Sequence, residues 1–150
     1  KHNIRVVKAF ADKIPLMAGS SDRLQQLFLN LINNSLDAMS SGGEIQIRSA
    51  LEGRAGKAQR IVVDFIDSGS GMTPEVMSHI FDPLYTTKDR GRGTGLGLVI
   101  VKQVVSELGG TVTVQSELGE GTRFRISFPA IPNDAPFPDQ EHELEMSLSK

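Results

Sequence analysis

The 150-residue sequence contains no cysteine. That excludes a disulfide framework, a thiol nucleophile and any cysteine-ligated metal site, and it suits a reducing compartment. An excess of one charge is lacking too. Sixteen basic residues stand against eighteen acidic ones, a net of −2, which is too balanced for a nucleic-acid surface. No apolar run approaches a membrane span, and Lys1-His2-Asn3 does not open a signal peptide. The chain is therefore expected to be soluble and cytoplasmic, touching neither membrane nor nucleic acid, although a longer parent protein could be membrane-anchored. Starting on Lys, it reads as a piece of something longer. There is no internal repeat, and no GxxxxGK[ST] phosphate loop occurs.

What is present is ordinary for a globular domain: 39% hydrophobic and 23% charged residues. The length suits one domain with a sizeable core. IRVVKAF (4–10) and PLMAG (15–19) read as short strands. Ser20-Ser21-Asp22 offers N-caps for a helix running to about Met39, which SSGG (40–43) stops. EIQIRSAL (44–51) and RIVVDFID (60–67) read as a hairpin around a polar loop. Thr73-Pro74-Glu75 starts a short helix with proline at its first position. From Phe81 to Gly97 regular patterning fails, as in a lid. LGLVIVKQVVSELGG (96–110) is a helix ended by glycines, and TVTVQSE (111–117) with TRFRISFP (122–129) forms a closing hairpin. Residues 130–150 turn Pro-rich and then acidic, as in a linker or disordered tail. This order of elements implies one mixed sheet with helices on a face.

Three segments carry the chemistry. In LFLNLINNSLDAM (27–39), Leu24, Leu27, Phe28, Leu31, Ser35 and Ala38 share one stripe at about 100° per residue. Asn30, Asn34 and Asp37 share another, with Asn33 beside them. Asparagine is a mediocre helix former, and a solvated face would favour Glu, Lys, Gln or Arg. Three amides and a carboxylate grouped here suit ligation, since an amide oxygen is a hard, neutral ligand for Mg²⁺. In DSGSGM (67–72), Asp67 ends a strand and is followed by Gly69 and Gly71. A carboxylate placed there can accept from an exocyclic purine amine, with Gly71 allowing close backbone approach and Met72 packing on a flat ring. In GRGTGLGL (91–98), alternating glycines open a helix whose free N–H groups make an anion site. Lys88, Arg90 and Arg92 lie close by.

In this order the segments resemble the ATP-binding catalytic domain of sensor histidine kinases, within the superfamily shared with gyrase-type topoisomerases, Hsp90-type chaperones and mismatch-repair ATPases. The resemblance runs from about Ile4 to Pro129. QQLFLNLINNSLDAM is similar to the family's N box, DSGSGM to its first glycine box, IFDPLYTTK to its F box, GTGLGL to its second glycine box, and GTRFRISFP to its last hairpin. The resemblance implies a two-layer α/β sandwich of the Bergerat type: a mixed, mostly antiparallel sheet packed on three helices, with ATP in a crevice under a mobile lid. Carried over by position, it implies that Asn34 ligates Mg²⁺, that Asn30 and Asp37 sit near the metal-bound phosphates, and that Asp67 accepts from the adenine amino group. Gly69, Gly71 and Met72 would line the base pocket, Phe81 would anchor the lid, and Thr87, Arg92 and Thr122 would belong to the nucleotide site. Gly93, Thr94, Gly95, Leu96, Gly97 and Leu98 would wrap the phosphates. Lys88 would approach the γ-phosphate and, with Asn30, bear on catalysis.

The superfamily's ATP-hydrolysing members place a water-activating Glu four residues before the metal-binding Asn. Here that place is Asn30, whose amide has no useful basicity. Transfer to a protein nucleophile is therefore expected rather than hydrolysis. The histidines, His2, His79 and His142, do not sit in a phosphoacceptor-like helix, so the isolated chain is not expected to phosphorylate itself. The resemblance implies an acceptor histidine on a separate dimerisation domain, a homodimeric parent and a response regulator downstream. Alternatives are a nucleotide-binding scaffold or sensor without phosphotransfer, a hydrolysing ATPase of the same superfamily, and a serine-directed kinase of the anti-sigma type.

Overall fold

A computed structural model describes residues 3–88, 91 and 93–132. His2, Arg90, Arg92, His142 and the stretch from 133 onward, all singled out above, lie outside the described residues. The elements are β1 (Ile4–Ala9), α1 (Ser21–Ala38), β2 (Gly43–Glu52), β3 (Arg60–Asp67), α2 (Pro74–His79), α3 (Gly97–Glu107), β4 (Thr111–Glu117) and β5 (Gly121–Pro129).

The five strands make one open sheet in the order β1-β2-β3-β5-β4. β1 runs parallel to β2, and the other neighbours are antiparallel. A parallel pair needs a crossover, and α1 supplies it. Strand alternation puts Phe65 and its β5 partner Phe124 on the helix side, where both are buried beside Leu27 and Leu31 of α1 and Val101 and Val104 of α3. The opposite face carries charge: Asp64 accepts from Arg123 (2.9 and 3.0 Å) and Arg125, and Arg125 reaches Glu52. The Asp64 hydrogen bond raises the pKa of the Arg123 guanidinium. The result is the two-layer α/β sandwich implied by the sequence, a mixed and mostly antiparallel sheet under helices.

One local expectation is corrected. PLMAG (15–19) is not a strand. Pro15 has no N–H to give a ladder, and this stretch is held instead by a hydrogen bond from Ile131 N to Leu16 O, 2.8 Å. Helix α3 is stopped by the glycines as expected: it ends at Glu107 with Leu108 as C-cap, and Gly109 takes φ +68° with its N–H bonded back to Ser106 O. Ser20 is the N-cap of α1, without a side-chain cap bond. Thr73 caps α2 as expected, its hydroxyl accepting from Val76 N at 3.3 Å. Beyond Pro129, Ala130 N donates at 3.0 Å to the carbonyl of Gln59, the residue before β3.

Candidate functional site

The carboxyl end of β3, one side of α1, the first turn of α3 and residues 85–88 and 93–95 line a crevice of about 490 Å³, within the range of small-molecule sites. It gathers Asn30, Asn34 and Asp37 from α1, and Asp67, Gly71 and Met72 from the turn after β3. Thr87, Lys88, Gly93, Thr94 and Gly95 come from the loop, Gly97 and Leu98 from α3, and Thr122 from β5. Gly69 and Leu96 do not line it. Neither does Phe81, which packs against the core with Lys102 Nζ 5.5 Å from its ring centre. Arg92 is outside the described residues.

At the deep end, Asp67 is 3% exposed, and a buried carboxylate must be hydrogen-bonded. Ser35 Oγ donates to its Oδ2 at 2.7 Å and Gly69 N to its Oδ1 at 2.9 Å. An ionised carboxylate has about four acceptor positions, so capacity remains for a donor in the crevice. The surrounding backbone is interlocked. A Cβ at Gly71 (φ +67°) would stand 1.9 Å from Glu117 O, and one at Gly121 (φ +112°) 2.1 Å from Asp67 O. Only glycine admits these approaches.

At the open end, Asn30 Nδ2 donates to Gln26 O at 2.9 Å. A carbonyl can only accept, so this bond decides which amide atom is which. Asn30 Oδ1 is left facing the start of α3, where a Cβ on Gly97 would lie 3.1 Å from it. Helix α3 has no side-chain cap, so its first N–H groups remain available to an anion. The loop folds back through Leu84 N to Gly95 O, 3.0 Å. Leu84 has φ +64°, an uncommon conformation for a branched side chain, and Gly95, at φ +65°, would bring a Cβ within 2.5 Å of the Leu84 carbonyl carbon. Lys88 Nζ forms an ion pair with Asp37 across the mouth.

Among the described residues no group of three or more His, Asp or Glu side chains converges as a metal cage. The α1 side offers amide oxygens instead. That set fits Mg²⁺, which binds through few protein oxygens and completes its shell with water and phosphate. Sequence reasoning missed Ser35, which helical period assigns to the apolar stripe. It also missed Ser70, Val76, Ile80, Tyr85 and Thr86, which line the crevice but have no local pattern pointing inward. A polar residue in an otherwise apolar stripe was the one available signal, and it marked Ser35.

Residues 19–132 match the family described as histidine kinase-, DNA gyrase B-, and HSP90-like ATPase. The chain is 34% identical over 138 residues to the sensor kinase CckA of Brucella abortus, covering 82% of this chain and 15% of that protein. Among solved structures it is similar to the mycobacterial sensor histidine kinase MprB, with a TM-score of 0.71, 26% identity, and coverage of 86% of this chain and 83% of the other. It is also similar to full-length ShkA in complex with AMPPNP, with a TM-score of 0.72, 28% identity, and coverage of 89% and 27%. The chain thus spans a minor part of the length of CckA. No helix among the described residues is long and apolar enough to cross a membrane.

Proposed function

The chain belongs to the histidine kinase-, DNA gyrase B- and HSP90-like ATPase family, and on that premise we propose that it is the ATP-binding kinase module of a two-component sensor histidine kinase. Its phosphoryl group would go to a histidine on a separate dimerisation domain of a homodimeric parent, and from there to a response regulator. The observation that carries this reading is one crevice with a buried carboxylate acceptor at its deep end and uncapped helix N–H groups at its mouth. Those ends suit an adenine amino group and a polyphosphate respectively.

In this reading Asp67 accepts from the adenine amine, Met72 lies on the ring, and the 93–98 backbone holds the phosphates. Asn34, with Asn30 lining the same crevice, would hold Mg²⁺, which when bound would supply positive charge to the phosphates. Lys88 leaves Asp37 for the γ-phosphate and neutralises charge on the transferring group. Asn30 offers no base to deprotonate water, so the incoming nucleophile is one that attacks without losing a proton first, as a neutral imidazole nitrogen does. The chain's contribution is positioning and charge stabilisation. A cytoplasmic location follows from the need for ATP and a response regulator.

The test is calorimetric titration of ADP with and without Mg²⁺, with Asp67→Asn as control, followed by ATP phosphorylation of a supplied phosphoacceptor domain. Binding strengthened by Mg²⁺ and weakened in the mutant, with label on histidine, is expected. Binding without transfer to any acceptor would favour a nucleotide-binding scaffold. Steady phosphate release abolished by Asn34→Ala would favour a hydrolase.

A further inference from the structure

Helix-side positions on β4 run Val112, Val114, Ser116. The first two pack against the core, and the third breaks the apolar pattern. Ser116 lies behind the crevice rather than in its lining. Its hydroxyl oxygen has three neighbours: Gly121 O at 2.8 Å, Met72 N at 2.9 Å and Thr122 Oγ1 at 2.9 Å.

A hydroxyl has one proton and two lone pairs, and these neighbours use all of them. Gly121 O can only accept, so it takes the Ser116 proton. Met72 N can only donate, so it occupies one lone pair. Thr122 must then donate into the other. With its single proton committed behind the crevice, Thr122 presents only lone pairs to the ligand side. Asp67, its cross-strand partner, is likewise an acceptor, with Ser35 and Gly69 donating to it from behind.

We propose that Ser116 is a positioning residue that sets base specificity, by orienting the Thr122 hydroxyl so that the crevice floor presents acceptors alone. This inference rests on the adenine-nucleotide reading above and deepens it. Acceptors on neighbouring cross-strand positions can each take one N–H of a single amino group. An exocyclic amino group therefore suits the floor, whereas a ring carbonyl oxygen there meets lone pairs on both sides. Removal of the Ser116 hydroxyl frees the Thr122 proton to turn toward the ligand and donate to such a carbonyl.

The experiment is calorimetric titration of ADP and of IDP, its 6-oxo counterpart, into the wild-type chain, Ser116→Ala, Ser116→Thr, Thr122→Val and the Ser116→Ala/Thr122→Val double variant. The wild type is expected to prefer ADP, and Ser116→Ala to lower the ADP:IDP affinity ratio about tenfold, the scale of one hydrogen bond reversed from repulsive to satisfied. Ser116→Thr keeps the oxygen at a strand position that accepts threonine and should hold the wild-type ratio. In the Thr122→Val background Ser116→Ala should leave the ratio where Thr122→Val put it. If Ser116→Ala does not fold, Ser116→Cys, a weaker donor of similar size, carries the same expectation. Equal loss for both nucleotides, with the ratio unchanged, would reduce Ser116 to a structural role and overturn the proposal. Failure of the wild-type chain to bind either nucleotide would instead overturn the adenine-nucleotide reading beneath it.

Discussion

The two ends of the crevice are built differently. At the deep end, Asp67 is held by Ser35 and Gly69, and two glycines let backbone segments approach where no side chain fits. At the mouth, an exposed loop is held by a Leu84–Gly95 hydrogen bond and a partly exposed Lys88–Asp37 ion pair. The deep end is held in one arrangement by close backbone contacts and by hydrogen bonds that fix Asp67 from behind. The mouth rests on interactions that individually contribute little and can be exchanged. On the proposed reading, the groups that would meet the base are preorganised, and those that would meet the reacting phosphate are free to change partners.

Substitutions at glycines separate the two ends most sharply. Gly121→Ala combines φ +112° with a backbone oxygen 2.1 Å from the new Cβ, and it should destabilise the fold by about 3 kcal/mol or more. Gly91→Ala in the loop has φ +91° but nothing within 4 Å, so it should cost only about 1 kcal/mol. Urea unfolding of both variants checks the contrast, and equal costs would mean that the deep end relaxes as readily as the loop.

Lys88→Met should leave stability within about 0.5 kcal/mol, because the pair it breaks is partly exposed. It should slow phosphoryl transfer by on the order of 10²-fold if the lysine neutralises the transferring group. Transfer at the wild-type rate, measured with a supplied acceptor domain, would confine Lys88 to the Asp37 pair. Asp67→Asn should weaken ADP binding by about 1–3 kcal/mol, the cost of a mismatched buried hydrogen bond. Unchanged affinity in a folded variant would remove Asp67 from the base site.

The smallest effect concerns the frame that both ends share. Arg23 of α1 donates to Glu107 of α3 at 2.6–2.9 Å, and this hydrogen bond holds the Glu107 carboxyl below its ordinary 4.5. A carboxyl depressed in the folded state contributes stability above its unfolded value and loses it as pH falls through the folded value. Arg23→Met should therefore lower the urea midpoint slightly at pH 7, and the gap from wild type should close as the solution is acidified below about 4.5. A gap that persists at pH 2 would assign the effect to packing of the arginine stem.

The parts of the site carried by short segments were legible in the sequence. The Asn30/Asn34/Asp37 spacing follows from helix period, and the DSGSGM turn and the GTGLGL helix start announce themselves through glycine. Phe81 and Leu96 belong to such segments yet lie outside the crevice lining, since a motif specifies neighbours in the chain and not the direction each side chain takes. Ser35 sits inside the asparagine-rich segment with no role its pattern announces, and Ser116 lies in no motif. Each is one hydroxyl whose orientation depends on a distant partner, 32 residues away for Ser35 and 44 for Ser116 through Met72 N.

By itself the sequence determined the order of strands and helices apart from the strand expected at PLMAG, the mixed sandwich they make and the chemistry of the groups available to bind, because periodicity, capping and glycine placement act over a few residues. Only the tertiary structure decided the register that sets Asp67 beside Thr122, the turn of the Asn30 amide, the Lys88–Asp37 pair and the direction of each hydroxyl proton. Those depend on which distant atoms are within about 3 Å, and hydrogen bonds take their polarity from whichever partner cannot donate.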